Sequence, residues 1–147
     1  MQNAKPKSSS GLREMFGMFC LKVFDGKKNA EQDKDNVDYK KLHQSISSFL
    51  KISLESDGNL SFIESAREVV YAMAAVADEI FLNMDWIGKK YWEENMMEQI
   101  YFGSQIAGEE IFNRINDLIT DKEPTALEKA EIYLKALSLG FKGKCRG

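Results

Sequence analysis

The sequence predicts an all-α protein, and three observations predict it. Apolar residues recur at three- and four-residue spacing in five separate stretches. No segment of useful length alternates with the period of two that a half-buried strand needs. Only two of the 147 residues are proline, so few helices are forced to break. A chain of this length has room for one domain with a real core. With 44% hydrophobic and 29% charged residues, wholesale disorder is excluded.

Residues 1–11, with Pro6 and three serines, read as a flexible lead-in. Leu12, Met15, Phe16, Phe19, Cys20, Val23 and Phe24 then form one continuous helical face. Asp25-Gly26 is expected to stop that helix, leaving 26–36 as a charged, mobile linker. Tyr39, Leu42, Ile46, Phe49 and Leu50 give a second helix, ended by Asp57-Gly58-Asn59. Ser61 with Glu64 forms a capping box, and the helix it opens runs to about Asn83. That helix is apolar around most of its circumference, which places it centrally in a bundle. Residues 84–105 are aromatic-rich and broken by Gly88 and Gly103, so short helices and turns are expected there, over a minor core or a binding platform. Ile111, Phe112, Ile115, Leu118 and Ile119 define the next helix. Thr125 with Glu128 forms a second box, opening a last helix through Leu127, Ala130, Leu134 and Leu137. Gly140 and Phe141 close it as a C-cap with its hydrophobic contact.

Most catalytic chemistry lacks its residues. There is no Gly-x-Ser-x-Gly, and His43 is the single histidine, so it would serve every role alone. Beside an apolar stripe it reads as a partly buried, satisfied side chain. Cys20 reads as a small core residue and Cys145 as an exposed reduced thiol. They stand far apart with no Cys-x-x-Cys, so zinc has no ligand set. The stretch 140–145 has the wrong spacing for a phosphate loop, and a di-iron bundle would need Glu-x-x-His pairs that are absent. No cofactor is implied. An enzyme could still be built on Asp78, Glu79 and a third acid such as Glu109 or Glu110 holding a divalent cation.

Charge is unevenly spread. The net charge is −3, but residues 1–54 carry +4, residues 55–123 carry −10 and residues 124–147 carry +3. A pI near 5.3 argues against a nucleic-acid binder. The longest apolar run, Val69–Ala77, is far short of the roughly 18–20 residues that span a bilayer. With no apolar stretch in the first ten residues, no secretory signal is expected. These features alone describe a soluble cytosolic domain. At about 100° per residue, Glu79 lies beside Glu68, Ala72 and Ala75, and Asp78 sits at the flank above Ala74, near Tyr71. The acidic pair thus borders an alanine-lined surface. It is a solvated polar face, or a groove filled by another helix or a partner. The basic ending, Lys142, Lys144 and Arg146, serves solubility or lies near anionic headgroups.

Three blocks resemble the DotU/TssL (IcmH) family of bacterial type VI and IVB secretion systems. The first is YAMAAVADEIFLN, from Tyr71 to Asn83, followed by Trp86 and Trp92. The second is FGSQIAGEEIF, from Phe102 to Phe112, which matches a family pattern at Gly103, Gly108, Glu109 and Phe112. It departs at Ser104, where the family favours Glu, and at Ala107, where it has Gly. The third is LSLGFKGKCR, from Leu137 to Arg146, with Lys142 in place of an acid. The blocks span residues 69–146 in family order.

The resemblance implies an all-helical, hook-like domain of about six to eight helices in two small packed bundles. It implies a non-enzymatic component of a bacterial secretion membrane complex. A membrane anchor is expected beyond residue 147, with residues 12–147 as its single cytoplasmic domain at the inner membrane. Self-association, an IcmF/TssM-like inner-membrane protein and baseplate components are the implied partners. Asp78 and Glu79 would face a partner cleft, the loop at Gly103, Gly108 and Glu109 would make a further contact, and Lys142, Lys144 and Arg146 would lie next to the membrane. Replacing both Asp78 and Glu79 by alanine is expected to leave the fold intact and weaken a partner contact. A soluble helical adaptor with no membrane link is the alternative.

Overall fold

The first apolar stripe builds a longer helix than its sequence punctuation predicts. The computed structural model describes residues 8–55 and 57–140, and α1 runs from Ser8 to Gln32. Leu12, Phe16, Phe19, Cys20 and Val23 are all buried on its inner face. The helix opens inside the expected lead-in and does not stop at Asp25-Gly26. Gly26 is instead a crossing point: a Cβ there would lie 2.6 Å from Leu42 Cδ1 and 3.6 Å from Phe81 Cζ. Buried Ala30 and a Lys27–Glu31 ion pair carry α1 onward. The connection to the next helix is short. The amides of Asn36 and Val37 donate back to the Asp33 carbonyl.

Helix α2, Tyr39–Leu54, is capped by the Asp38 carboxylate, which accepts from the Lys41 amide at 3.1 Å. It turns His43, Ile46, Leu50 and Ser53 inward. Helix α3, Leu60–Leu82, begins earlier than the Ser61–Glu64 box predicts. Asn59 is the N-cap, accepting from the Phe62 amide at 2.8 Å. Asparagine caps as well as serine, and it comes two residues sooner, so Ser61 falls inside the first turn. Every residue from Val69 to Asp78 is buried.

Among the described residues, helix α3 packs against all six other helices. The alanine-lined face is therefore a groove occupied by neighbouring helices. Among the described residues there is no strand, as the patterning predicted, and no helix is long and apolar enough to cross a membrane.

After α3 come two short helices, α4 (Lys89–Glu94) and α5 (Met97–Phe102), then α6 (Ala107–Thr120) and α7 (Ala126–Gly140). The aromatic segment is core rather than platform at its tryptophans. Trp92 stacks on Phe81 with centroids 4.5 Å apart, and the Trp86 indole donates to the Phe81 carbonyl. His43 packs edge-on against Trp92, and its Nε2 meets the Asn95 carbonyl at 2.8 Å. Burial holds this imidazole below its ordinary pKa. The neutral ring donating to that carbonyl makes it the satisfied histidine expected from sequence.

The Thr125–Glu128 box does not close. The Thr125 hydroxyl donates to Glu123, and the Glu128 carboxylate takes the Arg13 Nε at 3.0 Å, tying α7 to α1. Cys20 lies in the core as expected, where burial pushes its thiol up to about 11 and leaves it unreactive at neutral pH. Phe141, Lys142, Lys144, Cys145 and Arg146 lie outside the described residues.

Candidate functional site

The acidic pair on α3 is split by the fold. Asp78 points to where α4 and α5 arrive and is only 4% exposed. Its Oδ1 accepts from the Trp92 indole Nε1 at 2.8 Å and the Met97 amide at 2.7 Å, and its Oδ2 accepts from the Glu98 amide at 2.9 Å. Met97 and Glu98 are the first two residues of α5, whose own N-cap residue, Met96, makes no side-chain cap bond. Asp78 supplies that cap from another helix, placing a carboxylate at the positive end of α5. Burial pushes its pKa up to about 6, the three donors pull the other way, and the nearby Glu98 charge adds to the rise.

Glu98 repeats the device one helix further on. It is 2% exposed, and it accepts from the Ile106 amide at 3.0 Å and the Ala107 amide at 3.1 Å. These amides open α6, whose N-cap residue, Ile106, again makes no side-chain cap bond. The Ser104 hydroxyl (2.6 Å) and the Tyr71 hydroxyl (2.9 Å) complete its shell. Two buried acids in series therefore fix the start of α5 and of α6. They position the intervening loop, where Gly103 takes the left-handed conformation (φ 69°) that ends α5.

What faces outward differs from the expected pair. Glu79 is partly exposed and accepts from the Asn83 side chain at 2.7 Å. Gly103 and Glu109 are exposed and Gly108 is partly so, all within the turn that Glu98 organises. Asp78 is not at the surface. With both its oxygens facing N–H donors, it offers a cation nothing. Among the described residues no three His, Cys, Asp or Glu side chains are placed to hold a metal. The carboxylate-metal arrangement considered from sequence is thus not formed.

A second polar constellation was not visible in the sequence. Arg114 of α6 pairs with Glu68 of α3 (2.9 Å) and Glu110 (3.2 Å), and its guanidinium lies 4.1 Å from the Tyr71 ring centroid. The Tyr133 hydroxyl of α7 donates to the Glu68 carboxylate. Burial opposes the Arg114 charge, but Tyr133 and Glu68 outweigh it and hold this pKa above its ordinary value. Glu68, Tyr71 and Arg114 form one wall of a cleft of about 570 Å³ that also includes Glu64, Arg67, Phe102, Ser104 and Lys129. Glu98 and Arg114 carried no sequence signal. Each is a single charged residue, and the contacts that lock it to α3 or α7 (Tyr71 for Glu98; Glu68 and Tyr133 for Arg114) come from other helices.

A family model described as type VI secretion system protein DotU matches residues 19–147, nearly nine-tenths of the sequence. No curated protein and no solved structure matches it.

Proposed function

The chain belongs to the DotU family of type VI secretion system proteins, and from that premise we propose that it is a non-enzymatic scaffold. In this reading it is the cytoplasmic domain of a bacterial inner-membrane protein, anchored by a segment C-terminal to it. It links an IcmF/TssM-like membrane protein to baseplate components and associates with copies of itself. The mechanism is capture by shape and charge. Tethering confines partners to the membrane surface and raises their effective concentration.

The observation that carries this reading is the division of labour among the acids. Asp78 and Glu98 are consumed in capping α5 and α6. That rigidly presents the turn with its outward Gly103 and Glu109, and leaves the Glu79 carboxylate bound, among the described residues, only to the Asn83 side chain. A preorganised polar surface loses little entropy when a partner docks.

The test separates docking from folding by using Glu79 alone. Glu79→Arg is expected to keep the circular dichroism spectrum and melting temperature of the parent. It should weaken at least one partner, the IcmF-like protein or a baseplate component, by about tenfold or more, since a reversed charge meets its complement badly. Unchanged binding to every partner would remove the Glu79 face from the proposal.

A further inference from the structure

The polar cleft between α3, the α5–α6 loop, α6 and α7 has a surplus of donors. Arg67, Arg114 and Lys129 line it against Glu64 and Glu68, and Glu110 and Glu123, outside the lining, also pair with Arg114 and Lys129. Glu68 is already engaged by Arg114 and Tyr133. Among the described residues Arg67 forms no ion pair, and its guanidinium lies 5.3 Å from the Phe102 ring centroid. Arg114 spends Nε on Glu110 and Nη1 on Glu68 and Tyr133, leaving Nη2 without an acceptor among the described residues. Lys129 reaches only Glu123, at 3.9 Å.

We propose that this cleft is a receptor for a single carboxylate of a protein partner, an Asp or Glu side chain or a terminal carboxylate, held by Arg67 with Arg114 behind it. Three features select that class. Both guanidiniums lie over aromatic rings, Arg114 at 4.1 Å from the Tyr71 centroid and Arg67 at 5.3 Å from the Phe102 centroid, and the planar donor fork of Arg67 suits a planar acceptor. Arg67, the lining cation with no ion pair among the described residues, balances a monoanion. Glu64 at the same cleft repels a multiply charged group, which disfavours phosphate and nucleic acid. Because Phe102 and Ser104 belong to the turn that Glu98 fixes, a carboxylate bound here would also sense how that turn is placed. The inference does not depend on the secretion reading, since it concerns only what the cleft binds.

The experiment titrates the isotope-labelled protein with three blocked peptides and with inorganic phosphate, following backbone amides and the Arg67 side-chain Nε–H by NMR. One peptide, Ac-Gly-Glu-Gly-amide, carries only a side-chain carboxylate. Another, Ac-Gly-Gly-Gly with a free C-terminus, carries only a terminal one. The third, Ac-Gly-Gln-Gly-amide, carries neither. At least one acid is expected to move the Arg67, Phe102 and Ser104 signals with a dissociation constant on the order of 1–10 mM at low salt. The one that binds more tightly identifies the source. Arg67→Gln, at an exposed position, should keep the fold and lose the response about tenfold, and the glutamine peptide should give none. The proposal is overturned if both acids leave these signals unmoved, if Arg67→Gln responds like the parent, or if phosphate binds more tightly than either acid.

Discussion

Asp78 of α3 ties α4 and the start of α5 to the central helix. It satisfies three buried N–H donors, and donors stripped of their acceptor in the interior each lose their full desolvation energy. Asp78→Ala should therefore destabilise the protein by about 3–5 kcal/mol, as expected when one partner of a buried charged network is removed. Urea denaturation of the variant measures this directly, and a loss under about 1 kcal/mol would mean that water replaces the carboxylate. The double alanine change expected from sequence to spare the fold is thus a stability variant first, which is why Glu79 is tested alone. The pH dependence follows from the same site. Asp78 titrates near 6 in the folded protein against 3.8 for the free side chain, so between those pH values the folded state holds a proton that the unfolded state has released. Stability contributed by that proton is complete below pH 3.8 and is lost as pH rises through 6. Relative to Asp78→Asn, which cannot titrate, the parent should lose about 3 kcal/mol across that window. A parent that gains stability instead would show that the three donors outweigh burial. The helical wheel of α3 already placed Asp78 at a flank near Tyr71. It could not show that α4 and α5 come back to cover that flank, because those helices are too short to have a periodicity to read.

Among the elements, the two glycines that look alike in sequence do different things. Gly26 and Gly88 each follow an acidic or apolar residue in a polar stretch, and both read as breaks. Gly26 lies within α1, and the atom nearest to an added Cβ is Leu42 Cδ1, the far end of a flexible side chain. Gly88 lies between the edge of the Trp86 ring and the Cβ of Tyr39, each within 2.6 Å of an added Cβ. Gly26→Ala should therefore change stability little, since Leu42 can rotate and alanine regains up to about 1 kcal/mol of helix propensity. Gly88→Ala should lose about 1–3 kcal/mol, because an indole ring and a backbone-proximal carbon cannot step aside. Equal effects in thermal melts would show that the α4 corner is looser than its packing implies. Helix existence and type were legible because long apolar stripes obey one period. Boundaries were not, because a glycine that serves close packing and one that ends a helix are spelled identically. The cap of α3 was misplaced for a similar reason. Asn59 and Ser61 are both good caps, and only the backbone geometry decides between them.

At the scale of the whole molecule, the family match begins at residue 19, well before the blocks that carried the resemblance. The first half of the sequence supplies amphipathic helices of generic composition. The second half holds the distinctive turns at Gly103 and around Trp86, so the legible resemblance was confined there. The polar cleft was hidden for another reason: its Glu68, Arg114 and Lys129 are spread over three helices. One consequence is physical and testable. Among the described residues, helix α3 packs against every other helix, and the buried apolar residues of all seven helices form one continuous cluster. Neither the α1–α2–α4 side nor the α6–α7 side can lose its packing without exposing a face of α3. The described domain should then unfold in one cooperative step, as single-core domains of this size generally do. Trp92 lies in α4 and Trp86 just before it, so their fluorescence reports that corner alone, whereas far-ultraviolet circular dichroism reports all the helices. In urea the two transitions should share a midpoint and a slope. A tryptophan transition at lower urea than the dichroism would show that the α4–α5 corner opens by itself. The Asp78 and Glu98 caps would then be a local latch, and not part of the common core.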